Sequence, residues 1–113
     1  MAGEKRDLLK CMWYGIFFEA LTTDIMEDGV RILNHVQGYG DDAEIWRRVK
    51  AYMENLEAVI DDVGRCGIET VYPRRAVVAL HDAISMENAD SVIDIAGALG
   101  AEIVRQARNV RFE

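Results

Sequence analysis

Six carboxylates in the second half of the chain have a spacing that could hold a divalent cation. They form two trios, Glu54, Glu57 and Asp61, then Glu87, Asp90 and Asp94. Within each trio the spacing is three residues and then four, which places the three side chains on one face of a helix. Carboxylate oxygens are ligands that Mg²⁺ prefers, and a bound Mg²⁺ can polarise a phosphate. The spacing therefore indicates a metal site or an acidic surface.

The first two residues of each trio form a motif. Glu54 and Glu57 give E-x2-E, and after twenty-nine residues Glu87 and Asp90 give E-x2-D. This motif resembles the magnesium-binding signature of the all-α nucleotide pyrophosphohydrolases of the MazG type. The segment ENADSVIDIAGAL is similar to the second metal helix of that family, and the resemblance covers at most residues 42–100. It implies a bundle in which facing helices hold Mg²⁺ against the phosphates of a nucleotide. The implied metal ligands are Glu54, Glu57, Glu87 and Asp90.

The register of the helices favours the acidic surface over the metal site. If Leu56 and Ala89 are given the same position in an apolar seam, all six carboxylates fall on positions that point away from that seam. A solvated acidic face is the ordinary outcome of such a pattern, and it suits docking onto a basic partner. We therefore expect a partner-binding acidic face made of Glu54, Glu57, Asp61, Glu87, Asp90 and Asp94.

A second enzymatic pattern lies between these trios. Arg74 and Arg75 precede His81 by seven and six positions, a spacing that resembles the R-x4-6-H motif of the helical HEPN-type ribonucleases. In that family the Arg and His act on an RNA phosphate and a polar residue follows the Arg, whereas Ala76 follows Arg75 here. The alternative is a partly buried His81 with one hydrogen bond. We assign no catalytic residue, and the protein is more simply interpreted as a non-enzyme.

Helical periodicity runs through almost the whole chain, and one proline interrupts it. We predict an all-α fold, an antiparallel bundle of four to five helices in a single domain, residues 1–113. The predicted helices are 4–21, 24–37, 42–63 and 73–109. The first two could instead form one kinked helix, and the last could split at Ser85, with Ser85 as the cap.

The bundle is predicted to contain a duplicated helix motif. Residues 53–69 recur as residues 86–102, with nine of seventeen positions identical. Self-similarity at a fixed offset is typical of a repeated supersecondary unit. We therefore expect residues 86–88 to lie inside a helix, as residues 53–55 should. The second apolar seam is predicted on Ala89, Val92, Ala96, Leu99, Ile103 and Val110.

The first helix has more apolar surface than one small core can cover. Its apolar positions recur at helical spacing and predict the most buried helix of the bundle. Aromatic residues nevertheless occupy two sides of it, so part of the surface should be exposed and mark an interface. We predict homodimerisation or partner docking through residues 8–21, with an apolar interface formed by Trp13, Tyr14, Phe17 and Phe18.

The composition excludes some partners. A formal net charge of −7 opposes direct binding to nucleic acid. The first apolar run is too short to span a membrane, and no signal-peptide cleavage site follows it. We expect Cys11 and Cys66 to be reduced thiols in a cytoplasmic protein, with a disulfide as the alternative.

Together these patterns predict a small, acidic protein-binding module without a cofactor. It would act as a regulator, an adaptor or an inhibitor of the kind carried by mobile elements, binding through its acidic face and its apolar first helix. The alternatives are a Mg²⁺-dependent MazG-like pyrophosphohydrolase and a HEPN-like ribonuclease.

Overall fold

Four helices make up most of the structure. The computed structural model describes residues 8–35, 38 and 41–109. Its helices are α1 (Leu8–Leu33), α2 (Asp42–Arg65), α3 (Val71–Ser85) and α4 (Ala89–Asn109). No strand occurs among the described residues, so the prediction of an all-α fold is confirmed.

The four helices enclose one apolar core. α1 packs against α2 and α4, and α3 packs against the same two helices. In the described part of the chain no Cα atom of α1 lies within 8 Å of one in α3, and the same holds for α2 and α4, so these pairs lie diagonally across the bundle. Every helix therefore lies beside two neighbours, and all four contribute buried side chains. The largest fully buried ones are Phe18, Ile25, Ile45, Met53, Leu56, Ile60, Leu80, Leu99 and Ile103.

α1 is one helix, so the predicted break at Thr22 is wrong and the single-helix alternative holds. Thr22 is buried, and its hydroxyl donates to the carbonyl oxygen of Glu19 at 2.8 Å. This local bond satisfies the hydroxyl within the helix, so Thr22 need not act as a cap. The parts of the two predicted helices at residues 4–7 and 36–37 lie outside the described residues.

The buried face of α1 also differs from the predicted one. The core takes Phe18, Leu21, Ile25 and Ile32, whereas the apolar stripe of the first turns faces outward. Because α1 continues to Leu33, it packs against the core with the apolar stripe that extends toward Leu33. The other stripe, which is confined to the first turns, stays exposed. The prediction that residues 4–21 form the most buried helix is therefore wrong.

α2 begins and ends close to the predicted positions. The sequence GYGDD at residues 38–42 predicts a loop that ends in an aspartate cap. The Asp41 side chain accepts a hydrogen bond from the Glu44 amide at 2.8 Å and is this N-cap. The helix ends at Arg65, and Gly67 follows in a left-handed conformation with φ of 89°. The spacing of apolar residues predicts a seam on Ile45, Val49, Tyr52, Leu56, Val59 and Val63. The buried face is turned slightly from this seam, because Met53 and Ile60 are buried while Tyr52 and Val59 are half-buried.

The long helix predicted over 73–109 is interrupted by a turn. α3 ends at Ser85, Met86 is its C-cap, and Glu87 has a left-handed φ of 52°. Asn88 caps α4, because its side chain accepts from the Ser91 amide at 3.2 Å. The break thus falls where the alternative placed it, but Asn88 is the cap instead of Ser85.

The two copies of the repeat occupy different places in their helices. Met53 is buried inside α2, whereas Met86 is exposed and the expectation of a helix at residues 86–88 is wrong. Further along, the predicted α4 seam is confirmed over its described members, since all five are buried: Ala89, Val92, Ala96, Leu99 and Ile103. Val110, the last predicted member, lies outside the described residues.

Gly100 allows α1 and α4 to approach closely. A Cβ added at Gly100 would lie 2.6 Å from the Thr22 Oγ1 and 3.3 Å from its Cβ, whereas one at Gly97 would lie 3.5 Å from the Met26 sulfur. Both glycines are interior to α4, where Ala is about 1 kcal/mol more favourable than Gly. Their counterparts in the first copy of the repeat are Gly64, in the last turn of α2, and Gly67, just after that helix.

We expect Gly97→Ala to raise the free energy of unfolding by about 0.5–1 kcal/mol. Gly100→Ala should lower it by about 1–2 kcal/mol, because the clash with buried Thr22 outweighs the same gain in helix propensity. Urea denaturation of the two variants checks this. Equal stabilisation by both would show that α1 and α4 do not meet at Gly100.

A disulfide joins Cys11 of α1 to Cys66, the residue that follows α2. The Cα atoms are 5.7 Å apart, and the two cysteines are separated by 55 positions in sequence. The expectation of two reduced thiols is therefore wrong, and the alternative holds. α1 packs along α2, and this packing brings together two cysteines that lie far apart in the sequence.

Candidate functional site

The most prominent unexplained surface is an apolar face on the first turns of α1, which we call the α1 apolar face. Its members are Leu9, Met12, Trp13 and Ile16, with exposed fractions of 78%, 50%, 55% and 65%. Their spacing of three, one and three residues places them on one side of the helix. The core-facing residues of α1 lie on the opposite side.

The aromatic residues predicted for the interface divide between surface and core. Trp13 is exposed and stacks on Phe17, with ring centroids 4.9 Å apart. Trp13 also contacts the edge of Tyr14, and both Tyr14 and Phe17 are half-buried against the core. Phe18 is fully buried, so it belongs to the core and contributes nothing to an exposed interface.

An apolar groove of about 240 Å³ runs beside the α1 apolar face, between α1 and α4. Gly15 lies on its α1 wall, and a Cβ added there would meet nothing within 4 Å. The disulfide also lines the groove, together with Met12, Ile16, Ile68, Ile103, Val104 and Ala107. The groove and the face therefore form one apolar surface.

The first carboxylate trio lies on α2 and contacts α3. Glu57 lies 3.1 Å from the His81 Nε2, and Asp61 forms an ion pair with Arg74. Glu54, Glu57 and Asp61 are all exposed, as the register predicted. Two of the three acidic side chains are thus paired with basic residues of the neighbouring helix.

The second trio lies at the start of α4 and in the turn before it. Glu87, Asp90 and Asp94 are exposed, but Glu87 belongs to the α3–α4 turn instead of a helix face. Since α2 and α4 do not pack together in the described structure, the two trios do not face each other. Within the described residues no group of three His, Cys, Asp or Glu side chains could hold a metal.

The residues of the ribonuclease-like pattern take part in helix packing. Arg74 and His81 each pair with a carboxylate of α2, and Arg75 is exposed. His81 keeps 46% of its side chain exposed, which is more than the expected partly buried histidine. These contacts account for Arg74 and His81 without a phosphate ligand.

Sequence reasoning missed an ion-pair cluster between α1 and α2. Asp28 is 1% exposed and accepts hydrogen bonds from Arg31 Nη1 at 2.6 Å and from Arg48 Nε at 3.2 Å. The hydrogen bond that Arg48 donates to Asp28 raises the pKa of Arg48 above its ordinary value. The sequence signal was the position of Asp28, three residues after Ile25 and four before Ile32, which places it on the buried side of α1.

A second polar cluster ties α4 to the loop before α3. Hydrogen bonds from Arg105 and Gln106 lower the pKa of Glu102 to about 2. Gln106 also accepts from the Glu69 amide at 2.7 Å, and Glu69 accepts from the Tyr72 amide at the start of α3. Glu69 therefore caps the start of α3, and Glu102, its counterpart in the repeat, bonds Arg105 and Gln106 within α4.

No family model, curated protein or solved structure matches the chain. Among the described residues, no helix combines the length and apolar character needed to cross a bilayer. Function is therefore argued from the surfaces described above.

Proposed function

We propose that this protein acts by binding another protein through the α1 apolar face, as a small regulator, adaptor or inhibitor. The supporting observation is that four large apolar side chains stay exposed on one side of α1 although the core is closed without them. Contiguous exposed apolar patches of about 300–600 Å² commonly mark interaction sites. Trp13 supplies the kind of rigid aromatic side chain that dominates binding energy in interfaces.

A second copy of the chain is the first partner that we propose. In a twofold dimer the same surface meets itself, so it must be compatible with its own copy. The four members of the α1 apolar face are uncharged, and their juxtaposition brings no like charges together. A stable interface takes about 20–30 residues from each partner. The α1 apolar face has four members, so the dimer should be weak.

The acidic residues provide a further contact for a basic partner. Because Glu57 and Asp61 are paired with His81 and Arg74, this role falls mainly on Glu54 and the second trio. The resulting surface combines an apolar patch with separate negative charge, which favours basic proteins over nucleic acid.

The finer architecture that we propose is an antiparallel bundle. Asp61 pairs with Arg74 while Glu57 pairs with His81, so contacts between α2 and α3 run in opposite directions along the two helices. The relation of α1 to α4 is similar: Gly100 approaches Thr22, and Gly29 approaches Ile93. The duplicated motif has weaker support, which comes from the shared inward positions of the two seams.

A cytoplasmic location is retained as a proposal, although its argument from free thiols no longer holds. Disulfides are rare in reducing compartments and are usually regulatory or catalytic when they occur there. In a cytoplasmic protein the activity would then depend on whether Cys11 and Cys66 are oxidised or reduced.

Sedimentation equilibrium of the oxidised protein tests the interface. We expect a weak dimer for the natural sequence, at least tenfold weaker association for Ile16→Glu, and an unchanged Tm for that variant, because Ile16 is 65% exposed. Val78→Glu is the matched control, since Val78 is 62% exposed on α3. A natural protein that stays monomeric, or equal effects of both substitutions, would contradict the proposed interface.

A further inference from the structure

The beginning of α1 is attached to the rest of the protein mainly by the disulfide. We call residues 9–17 the leading segment. None of its side chains is buried, and the residue that follows it, Phe18, is fully buried. Tyr14 and Phe17 pack partly against the core, and Cys11 is bonded to Cys66. The whole α1 apolar face lies on this segment.

The leading segment has little intrinsic stability as a helix. Gly15 lies at its centre, where glycine costs about 1 kcal/mol relative to alanine. A helix end that buries few apolar contacts opens locally at a small fraction of the free energy of global unfolding. A covalent bond near its start is therefore the strongest restraint on its position.

Small thiols can reach this bond from solvent. Cys66 itself is nearly buried, but both cysteines line the apolar groove, which is open between α1 and α4. A dithiol reductant can attack one sulfur to form a mixed disulfide, and its second thiol then releases the protein. The products are two protein thiols and a cyclic disulfide of the reductant, a transfer of two electrons and two protons.

We propose that the Cys11–Cys66 disulfide is a redox switch for the α1 apolar face. In the oxidised protein the leading segment is held as a helix and presents its apolar residues in one fixed arrangement. In the reduced protein the segment loses its restraint and frays, and binding through the face weakens because ordering the segment then opposes association. This regulation rests on the proposed function of the face.

NMR of the full-length protein, oxidised and after treatment with dithiothreitol, tests the switch without any partner. We expect the helical Cα secondary shifts of residues 9–16 to fall by at least half on reduction. Those of residues 21–33 and of α3 should stay unchanged. The Cys11→Ser/Cys66→Ser variant should resemble the reduced protein with or without dithiothreitol. Unchanged shifts in residues 9–16 of the reduced natural protein would overturn the proposal, whether or not that variant folds.

A substitution at Gly15 gives an independent test of the same idea. Gly15→Ala meets no neighbouring atom, so its main effect is a helix propensity gain equivalent to about a fivefold shift toward the helical form of the reduced segment. We expect it to restore part of the helical shifts lost on reduction. Gly97→Ala, on α4, is the control and should restore none.

Sedimentation of the same samples separates the two proposals. Dimer affinity at least tenfold lower after reduction supports the switch, and equal affinity in both states overturns it. Failure of the oxidised protein to associate would contradict the proposed function alone, because the NMR shifts decide independently whether the disulfide controls the segment.

Discussion

Reduction of the Cys11–Cys66 disulfide is expected to lower the free energy of unfolding by about 4 kcal/mol. The bond links residues that are 55 positions apart, so it restricts a large part of the unfolded chain. For a domain of this size the loss corresponds to a fall in Tm of about 15 °C or more. The fold itself should survive, because the core from Phe18 onward does not depend on the bond.

Urea denaturation with and without dithiothreitol measures this effect. The Cys11→Ser/Cys66→Ser variant is the control, and its stability should be independent of the reductant. A difference below about 1 kcal/mol between the oxidised and reduced proteins would contradict the prediction. It would mean that the two cysteines stay close together in the unfolded chain or that the bond strains the native fold.

The disulfide also shows what a single sequence conceals. Cys11 and Cys66 carry no local spacing signal, and their proximity depends on how α1 lies along α2. Small intracellular domains usually have free thiols, and this general rule favoured the prediction of two reduced cysteines, which is wrong. A pairing that arises from tertiary packing leaves no trace in local composition, so it could be found only once the helices were placed.

Patterns within one element were predicted more successfully. The seam of α4 and the Asp41 cap of α2 follow from periodicity and from side-chain chemistry that acts within one turn. α1 was harder, because it has two apolar stripes. Which stripe is buried depends on whether the helix continues past Thr22, and the predicted helix start at residue 24 placed a break there that does not exist.

The repeat misled where it was taken beyond the seam. Identical letters at Met53 and Met86 predicted the same environment, but Met86 follows α3 and Glu87 adopts a left-handed turn. Repeated carboxylates likewise do not converge, because they lie on helices that do not pack together. For the candidate site, the sequence predicted an exposed face on the first turns of α1. Of its four predicted members only Trp13 is exposed, and Leu9, Met12 and Ile16 take the place of Tyr14, Phe17 and Phe18.

Arg48→Met is expected to lower the free energy of unfolding by about 2–3 kcal/mol, because it removes one of the two cations that bond a buried carboxylate. Arg31 still bonds Oδ1 in this variant, whereas Oδ2 loses its bond to Arg48 Nε. Asp28 is 1% exposed, and Arg48 approaches both of its oxygens, with Nε at 3.2 Å and Nη2 at 3.3 Å. Arg65→Met is the matched control on the same helix. The Arg65 pair with Asp62 is exposed, so its loss should change stability by less than about 0.5–1 kcal/mol.

Removal of the carboxylate should be less harmful than removal of its partner. The side chains of Arg31 and Arg48 are 28% and 38% exposed, so their charges can reach water after Asp28→Leu. The buried Asp28 carboxylate cannot reach water after Arg48→Met and keeps only its bond to Arg31. We therefore expect Asp28→Leu to cost no more than about 1–2 kcal/mol, and Arg48→Met to cost little in the Asp28→Leu background. Urea denaturation of the two single variants and the double variant gives the coupling energy. Additive losses would contradict the view that Arg48 stabilises the fold through Asp28, and would assign its effect to the packing of its aliphatic chain instead.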